Sequence, residues 1–137
     1  MQYYQTRVEK IPGTDLREVS RKAKQLYASL NGRSKRRPHV RSKFFEKQKI
    51  FLGLFWQHLE DKLNNRDKLR RLKYFPCAID LIIHTNCEPV SIKVNPHKSS
   101  EILYRFTGIT KNREIFHVQI KEDKHSKEKF LISVFPI

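Results

Sequence analysis

Cysteine is scarce in this chain. Cys77 and Cys87 are the only two, and neither belongs to a CxxC pair, so the sequence offers neither a disulfide framework nor a zinc knuckle. Both are expected as reduced thiols, with Cys77 buried. Long apolar runs are missing as well: no stretch approaches the roughly 18 uninterrupted apolar residues of a membrane span. The opening MQYYQTRVEK lacks the apolar core of a signal peptide. A cytoplasmic protein without a membrane partner is therefore expected. There is no HExxH, no glycine-rich P-loop and no paired acidic cluster suited to magnesium, so no metal and no other cofactor is expected.

Negative charge is also in short supply. Only 14 acidic residues stand against 29 lysines and arginines in 137 residues, for a net charge of +15. A compact chain with that excess repels itself unless a polyanion or counterions offset the field. Nucleic acid is the commonest such partner, ahead of an anionic membrane surface. Solubility alone needs far less imbalance. The length fits one domain, 1–137, that buries about two-thirds of the surface of its unfolded chain.

Within that domain the hydrophobic period divides the chain into a basic helical part, 1–85, and a strand-rich part, 86–137. Asp15 and Glu18 form a capping signal, and Leu16, Val19, Ala23, Leu26, Tyr27 and Leu30 recur at helical spacing until Gly32 offers a stop. The run RSKRRPHVR from Arg33 to Arg41 contains Pro38, which forbids a continuous helix and predicts a cationic loop. Ser42 can cap a second helix, in which Phe44, Phe45, Phe51, Leu52, Phe55, Leu59 and Leu63 mark an apolar face that ends near Asn64 and Asn65. Pro76 is placed to open the segment CAIDLIIHT as a helix, although its isoleucines leave a buried strand open. Pro89 and Pro96 mark a loop that has room for a short strand at Val90 to Val94.

Three strand patterns follow. In EIFHVQIKE, Phe116, Val118 and Ile120 alternate with His117, Gln119 and Lys121; in KFLISVF, Phe130, Ile132 and Val134 alternate with Leu131, Ser133 and Phe135. A hairpin pairing His117 with Ser133 keeps both apolar sets on one side. EILYRFTGI gives Ile102, Tyr104 and Phe106 to the core. It leaves Arg105 and Thr107 on the polar face with His117, provided that the next connection has an odd length or a bulge.

RNA can be cleaved without metal because its own 2′-OH is the nucleophile, so a protein need only move protons and offset charge on phosphorus oxygens. On the polar face His117 is the candidate acid or base. Arg105 and Lys121 would stabilise the phosphate, and Thr107, Gln119 and Ser133 would orient it. Any half-buried strand shows a polar row, so the same pattern also suits a plain solvated face. His58, His84, His125, His39 and His97 fit packing, helix ends and loops. The basic runs supply Arg33, Lys35, Arg36, Arg37, Arg41, Arg70, Arg71 and Lys73 as candidate phosphate contacts, with Tyr74 or His39 able to stack on an unpaired base.

The segment from Phe75 to Ile137, with EILYRFTGITKNREIFHVQIKEDKHSKEKFLISVFPI, resembles the phage-encoded toxin nucleases grouped with barnase, EndoU, the colicins and RelE. The N-terminal part resembles short uncharacterised bacterial proteins. The resemblance implies helices packed on an antiparallel sheet of about four strands and metal-independent RNA cleavage on the exposed sheet face. A toxin role implies an antitoxin partner. Glu101 and Glu114 are the only substitutes for barnase's glutamate base.

The expected architecture is α+β, with N-terminal helices packed on one face of a three- to four-stranded antiparallel sheet. The expected function is a metal-independent endoribonuclease of toxin or phage-defence type acting on transfer, messenger or ribosomal RNA. The alternative is a noncatalytic RNA- or ribosome-binding protein. A DNA-binding regulator is disfavoured because the proline-broken linker lacks the short turn of a recognition motif.

Overall fold

The computed structural model describes residues 3–31, 37–62 and 64–137. Asp15 opens the first helix, α1 (Leu16–Asn31), its side chain accepting from the Arg17 amide at 3.3 Å. Val19 and Ala23 on its inner stripe are fully buried.

The chain then departs from the expected long helix. His39–Ser42 (β2) and Gln48–Phe51 (β3) form an antiparallel hairpin, and only Gly53–Lys62 is helical (α2). Ser42 Oγ accepts from the Phe45 amide inside the turn rather than capping a helix, and Glu46 and Lys47 take positive φ. That left-handed pair is incompatible with a continuing helix. The turn thrusts Phe44 and Phe45 against Phe106 and Tyr104, with ring centroids 5.0–6.0 Å apart. The helical spacing of these phenylalanines therefore arises from a long-range aromatic cluster.

Asn64 caps α3 (Asn65–Lys73) by accepting from the Asp67 amide at 2.9 Å. Asp67 in its first turn and Arg70, Arg71 and Lys73 in its last complement the helix dipole. Pro76 lies in the first turn of α4 (Phe75–His84). That segment is a helix, and it is buried on nearly every side.

Among the described residues seven strands make one mixed sheet. To the hairpin are added β1 (Tyr4–Gln5), β4 (Ser91–Val94), β5 (Glu101–Ile109), β6 (Ile115–Asp123) and β7 (Lys129–Pro136), in the order β1-β5-β6-β7-β3-β2 with β4 also on β5. The pairs β1–β5 and β3–β7 are parallel, and the remaining pairs are antiparallel.

This corrects the expected fold in strand number, in direction and in the placing of the helices. The helices do not form one layer over one face. α4 touches both β2 and β5, near opposite ends of the strand order, so the sheet curls around it; α2 and α3 lie against β7, and α1 against α3. The parallel strands were hidden because β1 is two residues long and β3 lay within the apparent helix.

Asp80 on α4 shows how tightly the plug is held. Its carboxylate accepts from Tyr4 Oη at 2.9 Å and the Arg7 amide at 2.8 Å, and lies 3.0 Å from His84 Nδ1. Burial, followed by the bond and charge of Asp80, pushes the Tyr4 phenol up to about 12. No helix among the described residues is long and apolar enough to cross a membrane.

Candidate functional site

One face of β5, β6 and β7 packs inward through Phe106, Val118 and Val134, which are paired in register and buried. The opposite face carries the polar row in three rungs. Thr107, His117 and Phe135 form one, and Arg105, Gln119 and Ser133 the next. The third runs from Leu103 through Lys121 and Phe130 to Phe51 and His39. The β5–β6 connection, 110–114, has the odd length that the facing of Arg105 and Thr107 required.

The β6–β7 register differs from expectation. His117 faces Phe135, and Ser133 faces Gln119. A bulge follows: Gln119 opposes Ser133 while Ile120 opposes Leu131, leaving Ile132 as the surplus residue. Beyond it the alternation reverses, so Leu131 turns inward and Phe130 outward. Simple alternation placed Phe130 and Ile132 in the core because it contains no signal for an inserted residue.

Phe135 is the hub of the site. The His117 ring lies 5.3 Å away edge-on, and the guanidinium carbons of Arg105 and Arg71 lie 5.2 and 5.6 Å from its centroid. β3 pairs with β7 only at Lys129 and Phe130. Past that point α3 meets β7, and Arg71 donates to Ser133 Oγ at 2.8 Å. Arg105 Nη2 donates to Gln119 Oε1 at 3.3 Å, and Thr107 Oγ1 lies 3.0 Å from His117 Nδ1. Thr107 itself is buried, so its hydroxyl is a fixed partner that leaves Nε2 to do chemistry.

Burial is the first cause that holds the His117 imidazole below its ordinary pKa, and the Arg105 charge adds to it; a bond to the Phe106 carbonyl partly opposes both. Its neutral form therefore prevails at pH 7. When Nδ1–H donates to Thr107 or Phe106, Nε2 is a free base. Burial likewise lowers Arg71, although an arginine keeps its charge.

The structure thus brings together Arg105, Thr107, His117, Gln119 and Ser133, and adds Arg71. Lys121 stands apart, one rung away, with its ammonium 3.1 Å from Glu101 and 5.3 Å from the Phe130 centroid. Burial raises Glu101, but bonds from Lys121 and Asn95 and the nearby lysine charges outweigh it and hold the carboxyl below its usual range. Glu114 is also lowered, first by the bond from Lys10 at 2.6 Å. Both glutamates are therefore committed to ion pairs. Among the described residues no three His, Cys, Asp or Glu side chains come together to hold a metal.

The candidate phosphate contacts divide. Arg37 is exposed, pairs with Glu128 and lies over the Phe51 ring at 3.9 Å. Arg41 shares the outer face of the hairpin with Lys49 and donates to the Lys47 carbonyl. Arg70 is exposed, and Lys73 donates to the Gly13 carbonyl at 2.6 Å. Arg33, Lys35 and Arg36 lie outside the described residues.

Tyr74 is unsuited to stacking on a base, being buried against Phe116 with its hydroxyl on Glu114. His39 sits beside Phe51, with ring centroids 5.9 Å apart. Sequence reasoning missed Phe135 as part of the site, and it named Arg71 as a phosphate contact of the basic run without its place beside Ser133. The alternation of Phe135 with Ser133 was visible, but the approach of α3 to β7 was not.

No protein family, curated protein or solved structure matches this chain.

Proposed function

We propose that this chain binds RNA and cleaves it without a metal, as an endoribonuclease of toxin or phage-defence type. The observation that carries the reading is the convergence of one histidine and two arginines around Phe135 on a chain of net charge +15. The reading rests on these side chains and not on the four-stranded frame that the resemblance implied.

Cleavage would proceed by attack of the 2′-oxygen on the adjacent phosphorus. His117 Nε2 takes the 2′-OH proton, the new O2′–P bond forms and the P–O5′ bond breaks. The proton returns to the departing 5′-oxygen from the imidazolium or through water, leaving a 2′,3′-cyclic phosphate and a 5′-OH. Arg71 and Arg105 offset the charge that builds on the phosphoryl oxygens. Ser133 and Gln119 hold those two guanidinium groups in place.

Noncatalytic RNA binding is the second reading, favoured by the presence of a single proton-transfer group in the cluster. Incubating end-labelled RNA with the protein in chelator separates the two. The nuclease reading expects cyclic-phosphate ends from the wild type and none from His117→Ala, with affinity kept. Tight binding that leaves transfer, messenger and ribosomal RNA whole would establish the second reading.

A further inference from the structure

The same sheet face continues beyond the cluster. Phe51 and Phe130 are register partners on the parallel strands β3 and β7, with ring centroids 5.8 Å apart. Both are only partly covered and both are paired with cations, Arg37 over Phe51 and Lys121 near Phe130. They line a cavity of about 300 Å³ together with Pro38, Gly53, Leu54 and Gln57.

This is an open aromatic site with a guanidinium plane and an amide at its rim. A planar ring stacks on Phe130 and on the Arg37 guanidinium that covers Phe51 and is paired with Glu128, while Gln57 meets its polar edge. A phosphate alone would have no use for the aromatic floor.

The geometry points to this cavity as a subsite for an unpaired nucleobase, which makes single-stranded RNA the substrate class of the neighbouring Phe135 cluster. The inference rests on the reading of this face as an RNA surface. Phe130 and Phe135 lie on the same strand and on the same face, so at about 3.3 Å per residue they are roughly 15 Å apart. That is on the order of four stacked nucleotide steps, and fewer when the bases are splayed. A base held at Phe51 and Phe130 would therefore run its backbone across Lys121 towards Arg105 and Arg71. A duplex cannot offer such a base without opening.

The test measures anisotropy of a labelled RNA decamer, single-stranded or annealed to its complement, against the wild type, the double variant Phe51→Leu/Phe130→Leu, and Gln57→Trp. Gln57 is exposed on α2, so the tryptophan fills the cavity without disturbing the core. Base-on-aromatic stacking predicts a loss of about tenfold or more for the single strand in both variants. Duplex affinity and the salt slope should stay unchanged, because every cation is retained. Equal losses on both RNAs, or none on the single strand with Gln57→Trp, would overturn the subsite while leaving the RNA reading in place. A wild type that binds neither RNA would overturn both.

Discussion

Replacing Gly108 by alanine would set a Cβ 2.4 Å from Cζ and 2.7 Å from Cε1 of Phe116, and 3.0 Å from Cδ1 of Leu81. Neither neighbour can retreat easily. Phe116 is fully buried with its ring against Tyr74, and Leu81 sits on the plugging helix. Overpacking of this kind costs about 1–3 kcal/mol, and two rigid neighbours place Gly108→Ala near ~3 kcal/mol. The ordinary gain of about 0.5–1 kcal/mol from replacing glycine within a strand offsets only part of that.

Gly53→Ala supplies the internal comparison. No atom lies within 4 Å of its Cβ and its φ is not positive, so the same substitution should be neutral or stabilising by about 0.4–1 kcal/mol. Urea unfolding followed by Trp56 fluorescence reads both, since Trp56 is the sole tryptophan and packs, partly buried, on the core against Phe55, Phe75 and Tyr27. Gly108 and Phe116 immediately adjoin Thr107 and His117, so residual nuclease activity should fall with Gly108→Ala. Equal stability of the two variants, within about 0.5 kcal/mol, would refute the packing argument.

Cleavage should rise with pH to a plateau, because the reaction needs neutral His117, and its midpoint should fall below 6.5. Arg105→Ala should move that midpoint upward by removing a neighbouring positive charge; a pH–rate profile that stays put in the variant would contradict the assignment. Arg71→Ala should lower the cleavage rate by about 10²-fold, as loss of one preorganised donor does, with a smaller effect on RNA affinity. Rates and titrations measured side by side check this, and a loss confined to affinity would return Arg71 to simple binding. Burial pushes the Cys77 thiol up to about 12, so an aromatic disulfide reagent should titrate one thiol, Cys87, in the native protein and two in denaturant. Two fast thiols in the native state would argue against the packing of α4.

Much of the polar face was legible because β5 and β6 are regular. Alternation alone put Arg105 and Thr107 beside His117, and an odd connection kept them there. The capping signal at Asp15 placed α1, and the proline at the start of α4 pointed to the helix that is found there, against the strand that its isoleucines left open. What sequence could not reveal depends on contacts between distant segments. Phe44 and Phe45 look helical until Tyr104 and Phe106 are seen against them. Arg71 looks like any charge of a basic run until α3 is placed at the open flank of β7. Strand register, carried across β3, also sets Arg41 and Lys49 on the side of the sheet that carries Lys121 and Arg105.

The surplus residue in β7 determines what that surface is made of. Drawn out straight with Ile132 retained, the strand would roll everything before Ser133 over by half a turn. Phe130 would leave the nucleobase floor for the interior. Lys129, which now neutralises buried Glu122 at 3.4 Å, would emerge into water and strand that carboxylate. Trimming Ile132 away instead would leave every side chain facing as it does now. The chemistry of the face is thus written in a parity, and one residue in a single strand sets it.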